Sequence, residues 1–174
     1  SRTIELLDDA EGPCVATLVR ATPPASARMT VLYLHGRNDY FFQTHLADAF
    51  LSAGYEFYAL DLRTCGRAGA GYWSPHDVRD LRVHDEEIAE ALRIIRSEHG
   101  HDVVVLNGHS TGGLQAVIWA ADHPGTVDAL VLNSPWLDLR GSALVRSYGS
   151  AFVDLLSRRD PERVIGEPGS SDED

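Results

Sequence analysis

The sequence predicts an α/β fold in which a largely parallel sheet is flanked by helices. Short apolar runs of strand length recur along the chain, at residues 14–20, 30–35, 55–61, 102–107 and 128–134. Most segments between these runs place apolar residues at helical spacing. Strands that alternate with helices of ten or more residues form βαβ units, whose strands are parallel.

The first two strands are joined by a loop and the later ones by helices. Residues 14–20 precede ATPPASAR, whose prolines and small polar residues favour a turn or loop. Residues 30–35, TVLYLH, are β-branched and apolar, which is typical of a strand covered on both faces. The three predicted helices carry their apolar stripes at Phe42, Leu46, Phe50 and Leu51, at Leu81, Ile88, Leu92 and Ile95, and at Leu114, Val117, Ile118 and Ala121. Gly54 and Gly100 end the first two helices.

Charge and composition restrict the function. The chain has 15 basic and 26 acidic residues, a net charge of −11, so it repels phosphate backbones and general nucleic-acid binding is not expected. Every basic residue is an arginine, which excludes a Ser–Lys dyad and a Schiff-base lysine within this chain. No apolar run reaches membrane-spanning length and no signal-peptide pattern is present. Cys14 and Cys65 lack metal-ligand spacing, so we expect a cytoplasmic protein with reduced cysteines.

Neither a cofactor nor a metal ion is expected. The glycines at 108, 112 and 113 do not match the dinucleotide pattern G-x-G-x-x-G. The eight histidines show no ligand spacing joined to cysteines or carboxylates. Residues 1–140 are predicted to form the sheet domain, and residues 141–174 to begin a cap or insertion with a disordered acidic tail.

One serine stands at a sharp junction between a predicted strand and a predicted helix. Gly108, His109, Ser110, Thr111 and Gly112 fit G-x-S-x-G, in which a strained turn projects a serine hydroxyl above the sheet edge. The glycines are needed because residues two before and two after the serine pass too close for a Cβ. The alternative is a glycine-rich turn with a helix-capping serine. The placement favours a nucleophile on Ser110.

A second feature, LYLHGRNDY, ends the strand at residues 30–35. Acyl transfer requires two N–H donors aimed at the developing oxyanion. The backbone N–H of Thr111 is one candidate, and the loop after His35 and Gly36 offers the other, most simply from Arg37. The alternative is a tight strand-to-helix turn with a buried histidine.

The motifs LHGRND, ALDLRTCGRAG and LNGHSTGG, in this order, resemble the α/β-hydrolase superfamily, in its serine-aminopeptidase-like and monoacylglycerol-lipase-like (lysophospholipase-like) branch. The resemblance runs from about Val15 to Leu139, the front half of a family member. It departs at Thr64 and Cys65, where Gly-His is commoner. It implies the α/β-hydrolase fold, a Ser–acid–His triad whose acid and base follow the serine, and small or medium acyl esters, including monoacylglycerols or lysophospholipids, as substrates.

No histidine of the chain is a convincing base. His123 follows Ser110 by a whole helix, roughly 20 Å along its axis. His99 and His101 precede their strand and are expected at the opposite sheet edge. His84 is expected on a surface helix and His45 on a helix flank, with His76 in a loop. His35 and His109 are expected to support the turns beside the serine rather than to act as the base.

The sequence also leaves the identity of the catalytic acid undecided. Asp138 follows a strand and could approach the site, although a capping or turn role competes with it. Asp61 is expected to make structural hydrogen bonds. We therefore expect the chain to be the N-terminal portion of a larger hydrolase.

Three functions remain in view. The first is a serine hydrolase that cleaves carboxylic esters or amides through an acyl-enzyme on Ser110. The second is an incomplete hydrolase-like module that binds a ligand or partner, in which an exposed strand edge would favour homo-oligomers. The third is an acyltransferase that uses the same serine.

Overall fold

A computed structural model of the chain describes residues 1–9, 12–23, 27–69, 78 and 80–137. Its strands are β1 (Arg2–Glu5), β2 (Val15–Ala21), β3 (Met29–Leu34), β4 (Glu56–Asp61), β5 (Val103–His109) and β6 (Ala129–Asn133). Its α-helices are α1 (Thr44–Ser52), α2 (Asp85–Arg93) and α3 (Thr111–Asp122). The predicted segment 141–174 and its boundary at residue 140 lie outside the described residues.

The strands form one sheet in the order β1-β2-β4-β3-β5-β6. β3 is parallel to β4 and to β5, and β5 is parallel to β6. β2 is antiparallel to β4, and β1 to β2. The prediction of a largely parallel sheet with flanking helices is confirmed. Because the four parallel strands end at one edge, the residues that follow them, among them His35 and Ser110, gather there.

The N-terminal strand β1 was not predicted. Only one of its four residues, Ile4, is buried, and the other three are exposed. A run with one inward apolar side chain has no strand-length hydrophobic pattern. The strand therefore forms through its pairing with β2, which places Ile4 opposite Ala16.

Period-two alternation in β3 supplies both faces of the core. Leu32 and Leu34 pack on the face that also buries Ile88 of α2 and Ala116 of α3. Their neighbours Val31 and Tyr33 lie on the other face, with the aromatic side chains of Phe41 and Phe57. A strand covered on both sides was the prediction for this segment. Each fully buried Leu or Val contributes about 1.5–3 kcal/mol relative to an exposed side chain.

The predicted helices differ from the observed ones at their ends. α1 begins at Thr44, so Phe42 precedes it and is exposed. The segment predicted as one helix around α2 has three parts: a 3₁₀ turn (Leu81–His84), α2 itself and a π-helical turn (Ile94–Glu98). Among the described residues, none of the helices combines the length and the apolar composition of a membrane-spanning segment.

Candidate active site

Ser110 occupies the turn between β5 and α3 in a strained conformation. Its φ of 53° and ψ of −119° lie in a region that residues with a Cβ rarely adopt. Backbone hydrogen bonds hold it there: its N–H donates to Asn133 O at 3.1 Å, and its carbonyl accepts from Gly113 N at 3.0 Å and Trp136 N at 2.9 Å. Its side chain makes no capping hydrogen bond to α3. Because the Ser110 hydroxyl does not cap the helix, helix capping does not explain the strained conformation of this residue.

The glycines around Ser110 are required by crowding. A Cβ on Gly108 would lie 2.6 Å from Gly113 Cα, and one on Gly112 would lie 2.8 Å from the Leu34 carbonyl carbon. A Cβ on Gly113 would lie 2.8 Å from Pro135 Cβ. Real Cβ atoms essentially never come within 3.0 Å of such neighbours. The predicted reason for the glycines of this motif is confirmed.

The loop after β3 passes directly beside the serine. A Cβ on Gly36 would lie 3.2 Å from Ser110 Cβ and 3.5 Å from the His109 ring. Gly36 thus brings the start of the HGRND loop against the turn. The two predicted oxyanion donors belong to segments that meet here: Arg37 follows Gly36, and Thr111 opens α3.

His35 is held as a neutral ring. Its Nδ1 is 2.8 Å from Gly36 O, so it donates there, and its Nε2 accepts from Leu62 N at 3.2 Å. Burial lowers the pKa of His35 and outweighs the hydrogen bond to Gly36 that raises it. Both ring nitrogens are engaged, which fits the supporting role expected for His35 and opposes a role as base.

Asp61 joins two loops at the same sheet edge. Its Oδ1 accepts from Phe41 N at 2.9 Å, and its Oδ2 accepts from Arg67 N at 3.2 Å and from Arg67 Nη1 at 2.7 Å. Arg67 Nη1 also donates to Phe41 O at 3.0 Å. The Asp61 side chain is fully buried. The structural role expected for Asp61 is confirmed.

His84 was predicted on a helix surface, and that prediction is wrong. Its side chain is almost completely buried, and its Nδ1 is 2.8 Å from Glu87 Oε1. Arg63 also binds the fully buried Glu87 carboxylate, with its Nη2 at 2.7 Å and its Nε at 3.1 Å. The i,i+3 spacing of His84 and Glu87 was the sequence signal that could have predicted their contact. The 3₁₀ turn that folds His84 inward has no comparable signal in the sequence.

The pKa of Glu87 reflects this pairing. Burial raises the pKa of a carboxyl, but hydrogen bonds from His84 and Arg63 outweigh it, so the pKa of Glu87 lies below its ordinary value. The Arg63 guanidinium likewise loses solvation on burial, yet the Glu87 carboxylate raises its pKa. Glu87 is therefore an ionised, fully paired carboxylate beside the site.

A cleft of about 270 Å³ opens beside the serine turn. His35, Arg37, His84, Thr111 and Gln115 supply its polar lining. The apolar lining consists of Leu62, Val78, Leu81 and Trp136. The sequence pointed to His35, Arg37 and Thr111, but it offered no signal for Trp136, which the turn after β6 carries to the cleft.

The other histidines lie in different places. His99 Nδ1 is hydrogen bonded to Tyr58 OH at 2.9 Å, and His101 Nε2 lies 3.0 Å from Glu56 Oε2. Both histidines lie at the sheet edge opposite Ser110, as predicted. His123 stacks on Trp119 and contacts Asp85 at 3.2 Å. His109 Nδ1 is buried without a hydrogen bond among the described residues. His45 is exposed, whereas His76 and the candidate acid Asp138 lie outside the described residues.

The strand order, the serine turn and the flanking helices define an α/β-hydrolase fold. Residues 25–172 match the family described as serine aminopeptidase, S33. The match covers most of the chain, and the chain belongs to this family. The predicted resemblance is confirmed.

Three known proteins illustrate the similarity. A monoacylglycerol lipase of Mycolicibacterium smegmatis is 32% identical over 115 residues, which cover 66% of this chain and 40% of the lipase. A carboxyl esterase from Bacillus coagulans superposes with a TM-score of 0.71 at 18% identity, over 95% of this chain and 54% of the esterase. A monoglyceride lipase from Saccharomyces cerevisiae superposes with a TM-score of 0.69 at 18% identity, over 96% of this chain and 55% of the lipase. The chain thus spans about half the length of these relatives or less.

Proposed function

We propose that this chain carries the nucleophile and oxyanion hole of a serine hydrolase that cleaves carboxylic esters. The observation that carries the proposal is the conformation of Ser110, strained at φ 53° and in a turn pressed against Gly36 of the neighbouring loop. A strained turn costs about 1–3 kcal/mol, which a merely structural serine would not require. Membership of the serine aminopeptidase family supports the same reading.

The proposed reaction has two steps. Ser110 Oγ attacks the ester carbonyl, its proton passes to a general base, and the backbone N–H groups of Thr111 and Arg37 hold the oxyanion. The C–O bond then breaks, and the alcohol leaves with that proton. Water attacks the acyl-serine, releases the carboxylic acid and restores the hydroxyl. Each oxyanion donor contributes on the order of a 10²–10³-fold factor in kcat.

The base is assigned by family resemblance to a histidine that follows Ser110. Within the part of the chain that the structure describes, no histidine is hydrogen bonded to the Ser110 hydroxyl. His35 has both nitrogens engaged, and His123 is paired with Asp85 at the far end of α3.

Small or medium acyl esters are the proposed substrates. The apolar cleft residues Leu62, Leu81 and Trp136 form a surface for an acyl chain beside the serine turn. The cleft volume, about 270 Å³, lies just below the range of about 300–1,000 Å³ for small-molecule sites. The relative from Mycolicibacterium smegmatis is a monoacylglycerol lipase, which supports a glycerol ester as the first substrate to test.

The experiment is ester hydrolysis by matched serine variants. Ser110→Ala is compared with Ser134→Ala, because Ser134 also follows a parallel strand at this edge and also has a positive φ of 46°. We expect the wild-type protein and Ser134→Ala, each prepared with the segment that supplies the family histidine, to hydrolyse p-nitrophenyl butyrate at equal rates. Ser110→Ala should lose the rate above background.

Equal hydrolysis by the two variants would contradict the proposal. A wild-type chain that binds the ester without turnover would instead support the binding module. Transfer of the acyl group to added glycerol in preference to water would indicate an acyltransferase, which uses the same acyl-serine.

A further inference from the structure

We propose that the cleft beside Ser110 binds an anionic oxygen group of the substrate, a phosphate or a carboxylate, through the guanidinium of Arg37. The inference rests on the proposed function, because it names the class of ester that the same site takes. It concerns the Arg37 side chain, whereas the oxyanion role uses only its backbone N–H.

Ion pairing sets Arg37 apart. Of the nine arginines within the described residues, seven form ion pairs with carboxylates: Arg2, Arg20, Arg63, Arg67, Arg82, Arg93 and Arg96. Arg28 and Arg37 have no such partner there. In a chain with a net charge of −11, acidic groups are abundant, so an unpaired arginine at a cleft is available for a ligand.

The described lining of the cleft contains no carboxylate. None of the residues that line it within the described part of the chain is acidic, whereas three carry basic or imidazole side chains: Arg37, His35 and His84. The nearest acid along the loop, Asp39, accepts hydrogen bonds from Tyr40 N at 2.8 Å and Gln43 Nε2 at 3.4 Å. An anion in the cleft would therefore meet Arg37 and His84, with no acidic side chain among the described lining residues.

The neighbouring acids are already bound by other side chains. Arg63 and His84 bind the Glu87 carboxylate, and Arg67 binds Asp61. His84 commits Nδ1 to Glu87, which leaves Nε2 as the nitrogen for a cleft ligand. Arg37 adds a planar set of donors that suits two oxygens of one phosphate or carboxylate.

The position of Arg37 limits where the charge lies on the substrate. Arg37 lines the cleft and follows Gly36, which passes beside Ser110, so a group that its guanidinium binds lies within about one arginine side chain of the scissile ester. Esters of glycerol phosphate or of glycerate carry their charge close to the ester. Neutral glycerol esters lack it.

The test is a calorimetric titration of the full chain with three matched ligands: hexanoylglycerol, hexanoylglycerol phosphate and hexanoylglycerate. Ser110→Ala serves as the background, so that affinity is measured without turnover. We expect the anionic esters to bind about tenfold more tightly than the neutral one, a difference of about 1.4 kcal/mol, because a charge-assisted contact to an exposed guanidinium is partly screened by water. Added salt should reduce this preference.

Arg37→Gln should remove the preference and Arg37→Lys should retain part of it. Arg28→Gln is the matched control, because Arg28 is also exposed and unpaired within the described residues but precedes β3 at the opposite edge. It should keep the tenfold ratio. Preference for the phosphate ester alone, for the glycerate ester alone or for both would each support an anion site and identify its source.

Equal affinity for the three ligands would overturn the inference, and so would a preference that Arg37→Gln leaves unchanged. These outcomes are separate from those for the proposed function. The affinity ratio is measured on Ser110→Ala, so a failure of the hydrolysis experiment does not change it. Equal affinities would likewise leave the result of the hydrolysis experiment unchanged.

Discussion

Gly112 packs directly against Leu34, so that a Cβ on Gly112 would lie 2.8 Å from the Leu34 carbonyl carbon. This contact ties the first turn of α3 to the end of β3. The loop that starts there contains Gly36, which in turn contacts Ser110. The position of the serine relative to the HGRND loop thus depends on a glycine that the sequence motif contains for steric reasons.

Gly112→Ala should destabilise the fold because backbone atoms, which cannot rotate away, occupy the site of the new methyl group. We expect a loss of about 3 kcal/mol in the free energy of unfolding, measured by urea denaturation. Gly125→Ala is the control: Gly125 has a φ of 81° and no atom within 4 Å of the added Cβ. Its conformational strain should cost about 1 kcal/mol. Equal losses for the two variants would contradict the steric role of Gly112.

Asp61→Ala should loosen the loops that flank the site. It removes the acceptor for Phe41 N and leaves Arg67 without its ion pair, so we expect a loss of about 3 kcal/mol by the same denaturation measurement. Asp39→Ala serves as the control and should cost about 0.5 kcal/mol, since the hydrogen bonds of the Asp39 carboxylate to described residues stay within its own loop. A loss below about 1 kcal/mol for Asp61→Ala would show that Asp61 does not hold the two loops together.

Glu87 should make stability depend on acid pH. Its pKa in the folded chain lies below the ordinary value of 4.5, because hydrogen bonds from His84 and Arg63 outweigh burial. The ionised carboxylate therefore stabilises the fold fully above its unfolded pKa, and this contribution is lost as pH falls through the lower, folded pKa.

Glu87→Gln should lower Tm near neutral pH, because the charge of buried Arg63 is then only partly neutralised. Its curve should converge with that of the wild type as pH falls through the lowered pKa of Glu87. Glu5→Gln, at an exposed residue of β1, should follow the wild-type curve. Parallel curves for Glu87→Gln and the wild type would show that this carboxylate is not the source of the dependence.

The edge of β6 should promote self-association. Within the described residues β6 pairs only with β5, and Leu130, Val131 and Leu132 are exposed on it. We expect the mass measured by light scattering to rise with protein concentration. Val131→Lys should reduce that rise, while Val83→Lys, at a comparably exposed valine, should not. A single-chain mass at every concentration would contradict this expectation.

Local pattern was sufficient for much of the fold. The runs that predicted β2 to β6 match the observed strands to within one or two residues, because each of these strands is a run of mostly apolar or β-branched residues. β1 escaped prediction since it buries only Ile4. The serine turn was predictable as well, because its glycines and its strand–helix placement are adjacent in sequence.

Tertiary pairing was not predictable. Arg63 and Glu87 are 24 residues apart, and no local pattern joins them. His84 was misplaced because helical periodicity does not distinguish a surface helix from a 3₁₀ turn folded onto the site. Trp136 lines the cleft after its backbone N–H binds back to the Ser110 carbonyl, 26 residues earlier in the chain.

The most direct measurement for the central claim is the intact mass of the folded chain before and after a fluorophosphonate probe, followed by peptide mapping. Such probes form adducts with activated serines. We expect a single adduct on Ser110 that is absent from Ser110→Ala and from unfolded protein, and present in Ser134→Ala. A folded protein that contains the family histidine and gains no adduct, or gains it on another serine, would contradict Ser110 as the nucleophile.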